Sequence, residues 1–324
     1  MATEDQLGER TVAQVHDPFM LAILRELQNA PAHAKDISKR TDGVSVAGIR
    51  SRLRELAHNH FVVAVDETGR RVPPHVRAPR NALHEMTDVV GSAVLEMIDE
   101  CEGWERRWFR ADQLGDPGML ALGHVADPAT RAIVRALAPA PLRTKELEAR
   151  VPEVAHTLLF GRLAELTAQR LLHREGHGHN VSYTLSRAIR ELATILLRAA
   201  HCESLRATTE DRSLSADLWG LLHVVAPLAE IPTGLTGILL VHVESPRIED
   251  VYLSAAAGRI TALAVPPLGE PQATAGASTL EWCDVFFGGD PAQIPTDADP
   301  GLVSAIFLAL TQAMHPSGPA NLDE

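Results

Sequence analysis

At 324 residues, with 45% hydrophobic and 22% charged content, the chain is long enough for two or three globular units and too apolar for wholesale disorder. Aromatic residues make up 4%, so Leu, Val, Ile and Ala must fill the interior, and no apolar run approaches the ~18–20 residues that cross a bilayer. The net charge of −12 excludes a nucleic-acid partner only as an average, because the charge is segregated.

Residues 1–80 carry 12 Lys+Arg against 10 Asp+Glu, and residues 125–200 carry 11 against 7. Residues 81–124 carry 3 against 9, and residues 201–324 carry 4 against 16. A phosphate backbone responds to the local field, since screening sets in beyond ~8–10 Å, so DNA binding stays open for the two basic blocks. The N-terminus, MATEDQLGER, is polar and acidic, unlike a signal peptide. Cys101, Cys202 and Cys283 form neither a disulfide framework nor a metal spacing. The expected location is the cytoplasm.

Taken in chain order, the predicted elements occur twice. Residues 17–56 lie over 127–166 without a gap and with fifteen identities in forty positions, among them Asp17/Asp127, Pro18/Pro128, Lys35/Lys145, Arg52/Arg162 and Glu55/Glu165. Such a match marks a duplicated module. In each copy Asp-Pro starts a first helix and Ala-Pro breaks it at 30–31 or 140–141. A short helix follows over about 34–41 or 144–151. A third runs over about 45–59 or 155–169, with Ile49, Leu53 and Leu56, or Leu159, Leu163 and Leu166, on one face. Alternating stretches, FVVAV and LLHRE, then predict a β-hairpin. Helix, helix-turn-helix and hairpin in this order describe a winged helix.

Residues 83–100 are expected to continue each module's last helix, with Leu83, Met86, Val90, Val94, Met97 and Ile98 as one stripe. The equivalent stretch of the second copy is IRELATILLRAA. These two helices either pair with each other or pack on their own modules. CEGWERRWFRADQLGDPG reads as a connector anchored by Trp104, Trp108 and Phe109. After the polar linker 206–215 come a helix around 216–228, three strand-like runs (GILLVHVES, EDVYLSAA, GRITALAVPP), the lead-in PQATAGAS, and the helices TLEWCDVFFGG and DPGLVSAIFLALTQAMHP. The fold class is therefore mainly α with α+β: two tandem winged-helix modules followed by an α+β domain. The boundaries are 1–100 for the first module, 101–124 for the connector, 125–205 for the second module, 206–215 for the linker and 216–324 for the last domain.

The third helix and hairpin resemble the HxlR-type winged-helix regulators of bacteria, close to the MarR and ArsR groups, whose pattern is roughly I-S-x-x-x-L-T-x-R-L-x-x-L-x-x-x-G-L-V followed by a wing ending P-P-x-V-x-Y-x-L-T. The first copy offers Val44-Ser45, Ile49, Ser51-Arg52-Leu53, Leu56, Phe61-Val62 and Pro73-Pro74-His75-Val76, with Ala78 at the tyrosine position. The second offers Val154, Leu159, Arg162-Leu163, Leu166, Leu171-Leu172 and Val181-Ser182-Tyr183-Thr184-Leu185-Ser186. The glycine before the wing is His60 or Arg170. The resemblance implies double-stranded operator DNA as partner. Such regulators are usually dimers, so the duplication implies a pseudo-dimer within one chain, with a homodimer left open.

At 100° per residue, the outward face of the first reading helix carries Ala47, Ser51, Arg54 and His58 with Arg50 on its flank and Ser45 at its start. Guanidinium groups there suit guanine or phosphate, and Arg70 and Arg71 at the wing tip suit a backbone or minor groove. A solvated basic face is the ordinary alternative. The same face of the second copy is Thr157, Gly161, Ala164 and Ala168, with Phe160 where Arg50 stood, so the first copy is expected to dominate DNA contact. Arg52 and Arg162 lie toward the core and read as structural. The second wing adds Arg174, His177 and His179 as contacts. With His173 the histidines also have a metal-like spacing, although a polar hairpin tip explains them as well, and no metal is expected.

The stretch ATAGASTLEWCDVFFGGDP resembles sterol-carrier-protein-like domains. That implies a cavity for a small hydrophobic effector, with Trp282, Phe286, Phe287, Phe307 and Leu310 as walls or simply as core. No G-x-S-x-G, P-loop, Rossmann, H-E-x-x-H or C-x-x-C motif occurs, so neither an enzyme nor a bound cofactor is expected. Lysine occurs only at 35, 39 and 145, a usage that suggests a GC-rich bacterial source. The function these features favour is a DNA-binding regulator with a ligand-sensing last domain. The alternative is a sequestering or self-resistance protein on a scaffold that no longer binds DNA.

Overall fold

Asp-Pro pairs start the first helix of each repeat for the reason expected. The computed structural model describes residues 9–41, 43–177, 180–205, 218–244, 249–287, 294–298 and 300–314. After α1 (Glu9–Val15), the Asp17 carboxylate accepts the Phe19 and Met20 amides at 2.8 and 3.3 Å and so caps α2 (Pro18–Asn29). The same aspartate meets Arg52 at 3.3 Å. The first unit continues with β1 (Ala32–His33), α3 (Ala34–Arg40) and α4 (Val46–His58), and then β2 (Val62–Val65), β3 (Arg71–Val72) and β4 (Leu83–Met86). These strands form a sheet in the order β1-β4-β2-β3. Ile49, Leu53 and Leu56 of α4 are buried, as their four-and-three spacing requires.

Apart from β3, which has no counterpart among the described residues, the second unit repeats this order with α7 (Pro128–Leu137), β5 (Leu142–Arg143), α8 (Thr144–Arg150), α9 (His156–Ala168), β6 (Leu172–Glu175), β7 (Ser182–Leu185) and α10 (Arg187–Ser204), reached through α5 (Val90–Trp108) and α6 (Met119–Ala126). Its local devices match as well. Asp127 takes the Thr130 amide at 2.7 Å and pairs with Arg162 at 3.0 Å. His60 and Arg170 both hold positive φ, 60° and 58°. The amides that follow, of Phe61 and Leu171, reach back to the Leu56 and Leu166 carbonyls at 3.0 and 2.8 Å. This is a left-handed helix C-cap of the Schellman type, normally a glycine's place.

The strand register corrects the reading of the first wing. Val62 faces Met86, 24 positions on, whereas its counterpart Leu172 faces Leu185, 13 positions on. The first hairpin is therefore 11 residues longer. The residue matching Tyr183 is His84, not Ala78, since Leu142 pairs with Tyr183 as Ala32 pairs with His84. Leu83–Met86 is thus a strand rather than the start of a helical stripe, and α5 begins at Val90. Thr87 before α5 accepts the Gly91 amide at 2.8 Å, as Ser186 does for Ile189 at 3.4 Å.

The expected connector is largely helical too. The stripe Val94, Met97, Ile98, Cys101 and Trp104 stays buried through α5, and α6 follows after a 3-10 turn at Ala111–Gln113. Glu105, 1% exposed, caps α6. Its carboxylate accepts the Gly118, Leu120 and Ala121 amides at 2.6, 2.8 and 3.0 Å.

Of the two packings open for the long helices, mutual pairing is observed: α5 lies along α10. Trp104 Nε1 donates to the Ala188 carbonyl at 2.8 Å and Trp108 Nε1 to Glu191 at 2.9 Å. Arg198 bridges to Glu96 at 2.8 Å and also to Glu100. One continuous apolar core runs through both units.

A second core belongs to the C-terminal unit, built from α11 (Leu218–Val225), β8 (Gly237–Glu244), β9 (Glu249–Ala256), β10 (Arg259–Leu263), β11 (Ala273–Ser278), α12 (Thr279–Phe286), β12 (Thr296–Ala298) and α13 (Pro300–Met314). The sheet order is β10-β9-β8-β11-β12, with β8 and β11 parallel. The lead-in at 273–278 is therefore a central strand, with Ala273, Ala275 and Ala277 facing inward. Helices and strands together make the chain α+β. The linker 206–215 lies outside the described residues.

Candidate functional site

On the first unit the structure gathers the expected cations around α4. Ala47, Ser51, Arg54 and His58 are exposed and Arg50 is half-buried. Ser45 is exposed too, but its hydroxyl accepts the Gly48 amide at 3.2 Å, so it acts as a helix cap. Arg50 does not project freely, because its Nη2 donates to the Arg80 carbonyl at 3.1 Å. Arg70 and Arg71 are exposed on the β2–β3 hairpin, whose turn is tied by Asp66 accepting the Thr68 and Arg70 amides at 2.8 and 3.0 Å. The lengthened segment 73–82 returns over α4 and leaves between them a pocket of about 290 Å3. His84 lines this pocket. Burial, and then the neighbouring His33, push its imidazole down to about 4, so it is neutral at pH 7.

The corresponding face of α9 carries no cation. Thr157, Gly161, Ala164 and Ala168 are exposed, and so are Leu158 (49%) and Phe160 (40%). The His156 ring lies 4.5 Å from that of Phe160. In the second wing His173, Arg174 and His177 are exposed, while His179 lies outside the described residues. Among the described residues no three His, Cys, Asp or Glu side chains converge as a metal site would need. Arg52 and Arg162 serve the Asp17 and Asp127 caps, which is the structural role expected of them.

The expected effector walls fill their own unit's core. Trp282, Phe286, Phe307 and Leu310 are buried, and the Trp282 and Phe307 rings are 5.0 Å apart. Phe287 lies at the seam with α10, stacked on His201 at 4.7 Å and under the Arg198 guanidinium. A different cavity, about 260 Å3, opens where α6, α7, α10 and α11 meet, lined by Val134, Ile189, Leu192, Leu196, Leu221 and Val224 among others. Arg131 stands at its edge. It is held by Glu9 at 2.8 Å, and it donates to the Val125 and Ala126 carbonyls at the end of α6. No local sequence pattern announced this cavity, because its walls come from α1, α6, α7, α10 and α11, which are spread along the chain. The three cysteines are buried. Burial pushes the Cys283 thiol up to about 12, which removes it as a redox-active group.

Residues 129–206 match the family model described as HxlR-like helix-turn-helix. The segment runs from the first turn of α7 to just past the end of α10, and the match points to DNA-binding transcriptional regulation. No curated protein and no solved structure matches the chain. No helix among the described residues is long and apolar enough to cross a membrane.

Proposed function

We propose that the protein is a one-component transcriptional regulator, bacterial and cytoplasmic, in which two tandem winged-helix units form a pseudo-dimer on double-stranded DNA. The first unit dominates the DNA contact. The observation that carries this reading is the helix-turn-helix match over 129–206, on a unit whose element order and Asp–Arg pair recur at 17–108. The cations of α4 and its wing supply phosphate contacts and Arg-to-guanine contacts that α9 lacks, and the α5–α10 pairing takes the part a dimer interface plays elsewhere. No catalytic step or cofactor belongs to this reading.

The C-terminal unit is assigned a sensing role, in keeping with the sterol-carrier-like stretch at 273–291. Its effector is a small hydrophobic molecule, and the cavity between α7, α10 and α11 supports such a site better than the filled core around Trp282. An occupant there bears on α7, which opens the second helix-turn-helix, and on α10, which is common to both cores. It shifts the arrangement only by as much as it prefers one state over another.

The test is selection of genomic fragments by the full chain and by Arg50→Ala/Arg54→Ala. One enriched sequence family, lost in the variant, supports the reading. If the folded protein enriches nothing at moderate salt, the regulator reading fails. The sequestering alternative, which the exposed Leu158 and Phe160 and the net charge of −12 favour, then takes its place.

A further inference from the structure

The extra length of the first hairpin builds a site with no counterpart in the second unit. Segment 73–80 folds back on α4 and closes the pocket of about 290 Å3, near the lower end of small-molecule sites. Arg50, Arg54, Arg77 and Arg80 line it, and no carboxylate does. Among the described residues none of the four is paired with an acid. Two further polar atoms are buried without a hydrogen-bond partner, Nε of Arg50 and Nδ1 of His84, and His84 is only 6% exposed. A buried polar atom left unsatisfied calls for a partner.

We propose that this pocket binds a compact oligo-anion of the phosphate class, about the size of pyrophosphate, and that the occupant holds the insertion against α4 in place of duplex DNA. Guanidinium forks match phosphate oxygens in pairs. Four cations without an acid favour a multiply charged anion over a monocarboxylate, because every added negative charge meets the same four positive ones. Pro73, Pro74 and Pro79 stiffen the wall, and a duplex is too wide to enter beneath it. The binding claim stands by itself, whereas the competition with DNA rests on the regulator reading.

The test is calorimetric titration of the full chain with inorganic pyrophosphate at constant ionic strength. Saturable binding at one site is expected. It should weaken at least roughly tenfold in Arg50→Ala and in Arg77→Ala, the latter on an exposed segment where misfolding is no concern, and stay unchanged in Arg143→Ala, an exposed arginine outside the pocket. No saturable heat up to about 5 mM, or binding that survives both substitutions as an adventitious ion would, overturns the proposal. In a second arm, saturating pyrophosphate should release a selected duplex from the parent chain but not from Arg77→Ala/Arg80→Ala. If that variant instead loses duplex affinity as strongly as pyrophosphate affinity, the pocket's anion is the DNA phosphate and the free-anion assignment is wrong. Pyrophosphate binding without any DNA binding sinks the regulator reading and leaves the pocket standing.

Discussion

Replacing Glu105 by Ala tests how the two helical units are joined. The carboxylate is 1% exposed and is the acceptor for three amides at the start of α6, at 2.6–3.0 Å. Hydrogen bonds to a charged acceptor contribute about 1.5–3 kcal/mol each, and amides left buried and unpaired cost about 1–3 kcal/mol. Favourable charge at a helix N-terminus adds about 0.3–1 kcal/mol. The three bonds share one side chain and some water will reach the freed amides, so the sum is not additive, and a loss of about 3–5 kcal/mol is expected. Glu105→Gln keeps one acceptor oxygen but turns an amide donor toward the other N–H, and should lose about 2–3 kcal/mol. The two units span nearly two hundred residues and share one core, a size for which 1 kcal/mol shifts the midpoint by about 2–4 °C. Far-UV circular dichroism should therefore show Glu105→Ala melting roughly 6–20 °C below the parent. A midpoint within about 2 °C of the parent would refute the view that this carboxylate holds α6 to α5.

Four shorter predictions use the same kind of reasoning. His84 sits near 4 in the folded chain against 6.5 unfolded; the unfolded state then binds more protons between these values, and stability is lost as pH falls from about 6.5 toward 4. His84→Tyr, which installs the second unit's residue, should flatten that loss in thermal melts at several pH values, leaving the part due to His201, also pushed down to about 4 by burial, and to His124, which burial lowers as well. Arg52→Ala and Arg162→Ala each remove a partly exposed pair to a helix cap and should cost about 0.5–1 kcal/mol in urea melts, with DNA affinity at Arg162→Ala unchanged. At the left-handed cap, Arg170→Gly should stay within about 1 kcal/mol of the parent while Arg170→Val loses about 1–2 kcal/mol, because a branched Cβ tolerates positive φ poorly. Ala193→Phe places a ring in the cavity between α7, α10 and α11 and, on the proposed sensing role, should abolish DNA release by a hydrophobic effector without moving basal DNA affinity.

Much of this arrangement was written locally in the chain. Asp-Pro at 17 and 127, the four-and-three spacing of Ile49, Leu53 and Leu56, and the 110-residue offset led directly to the two helical units. The first wing misled for a definable reason. Pro73-Pro74-His75-Val76 satisfies the wing pattern where it stands, so nothing local marks it as an insertion, and the inward position of the true return strand is a histidine that looks solvent-facing. Only the register of β4 against β2 exposes the difference. A second miss, β11, followed from composition: Ala273, Ala275 and Ala277 alternate correctly but are too small to signal a strand by hydrophobicity. The two pockets were beyond sequence reading because each is assembled from elements far apart in the chain, and the Arg50–Arg80 contact spans thirty residues.

The pairing of α5 with α10 has a consequence for how the molecule behaves on dilution. In a two-chain assembly the equivalent helices separate as concentration falls. Here both helices belong to one chain and one core, so dilution does not separate them. On the proposed reading, with one chain acting alone on DNA, occupancy of a target would rise with the first power of protein concentration. Covalent joining also releases the halves from identity. A mutation in α4 is not copied into α9, so the two helices can diverge as far as Arg50 and Phe160 have, and on the proposed reading a target site need not be a palindrome.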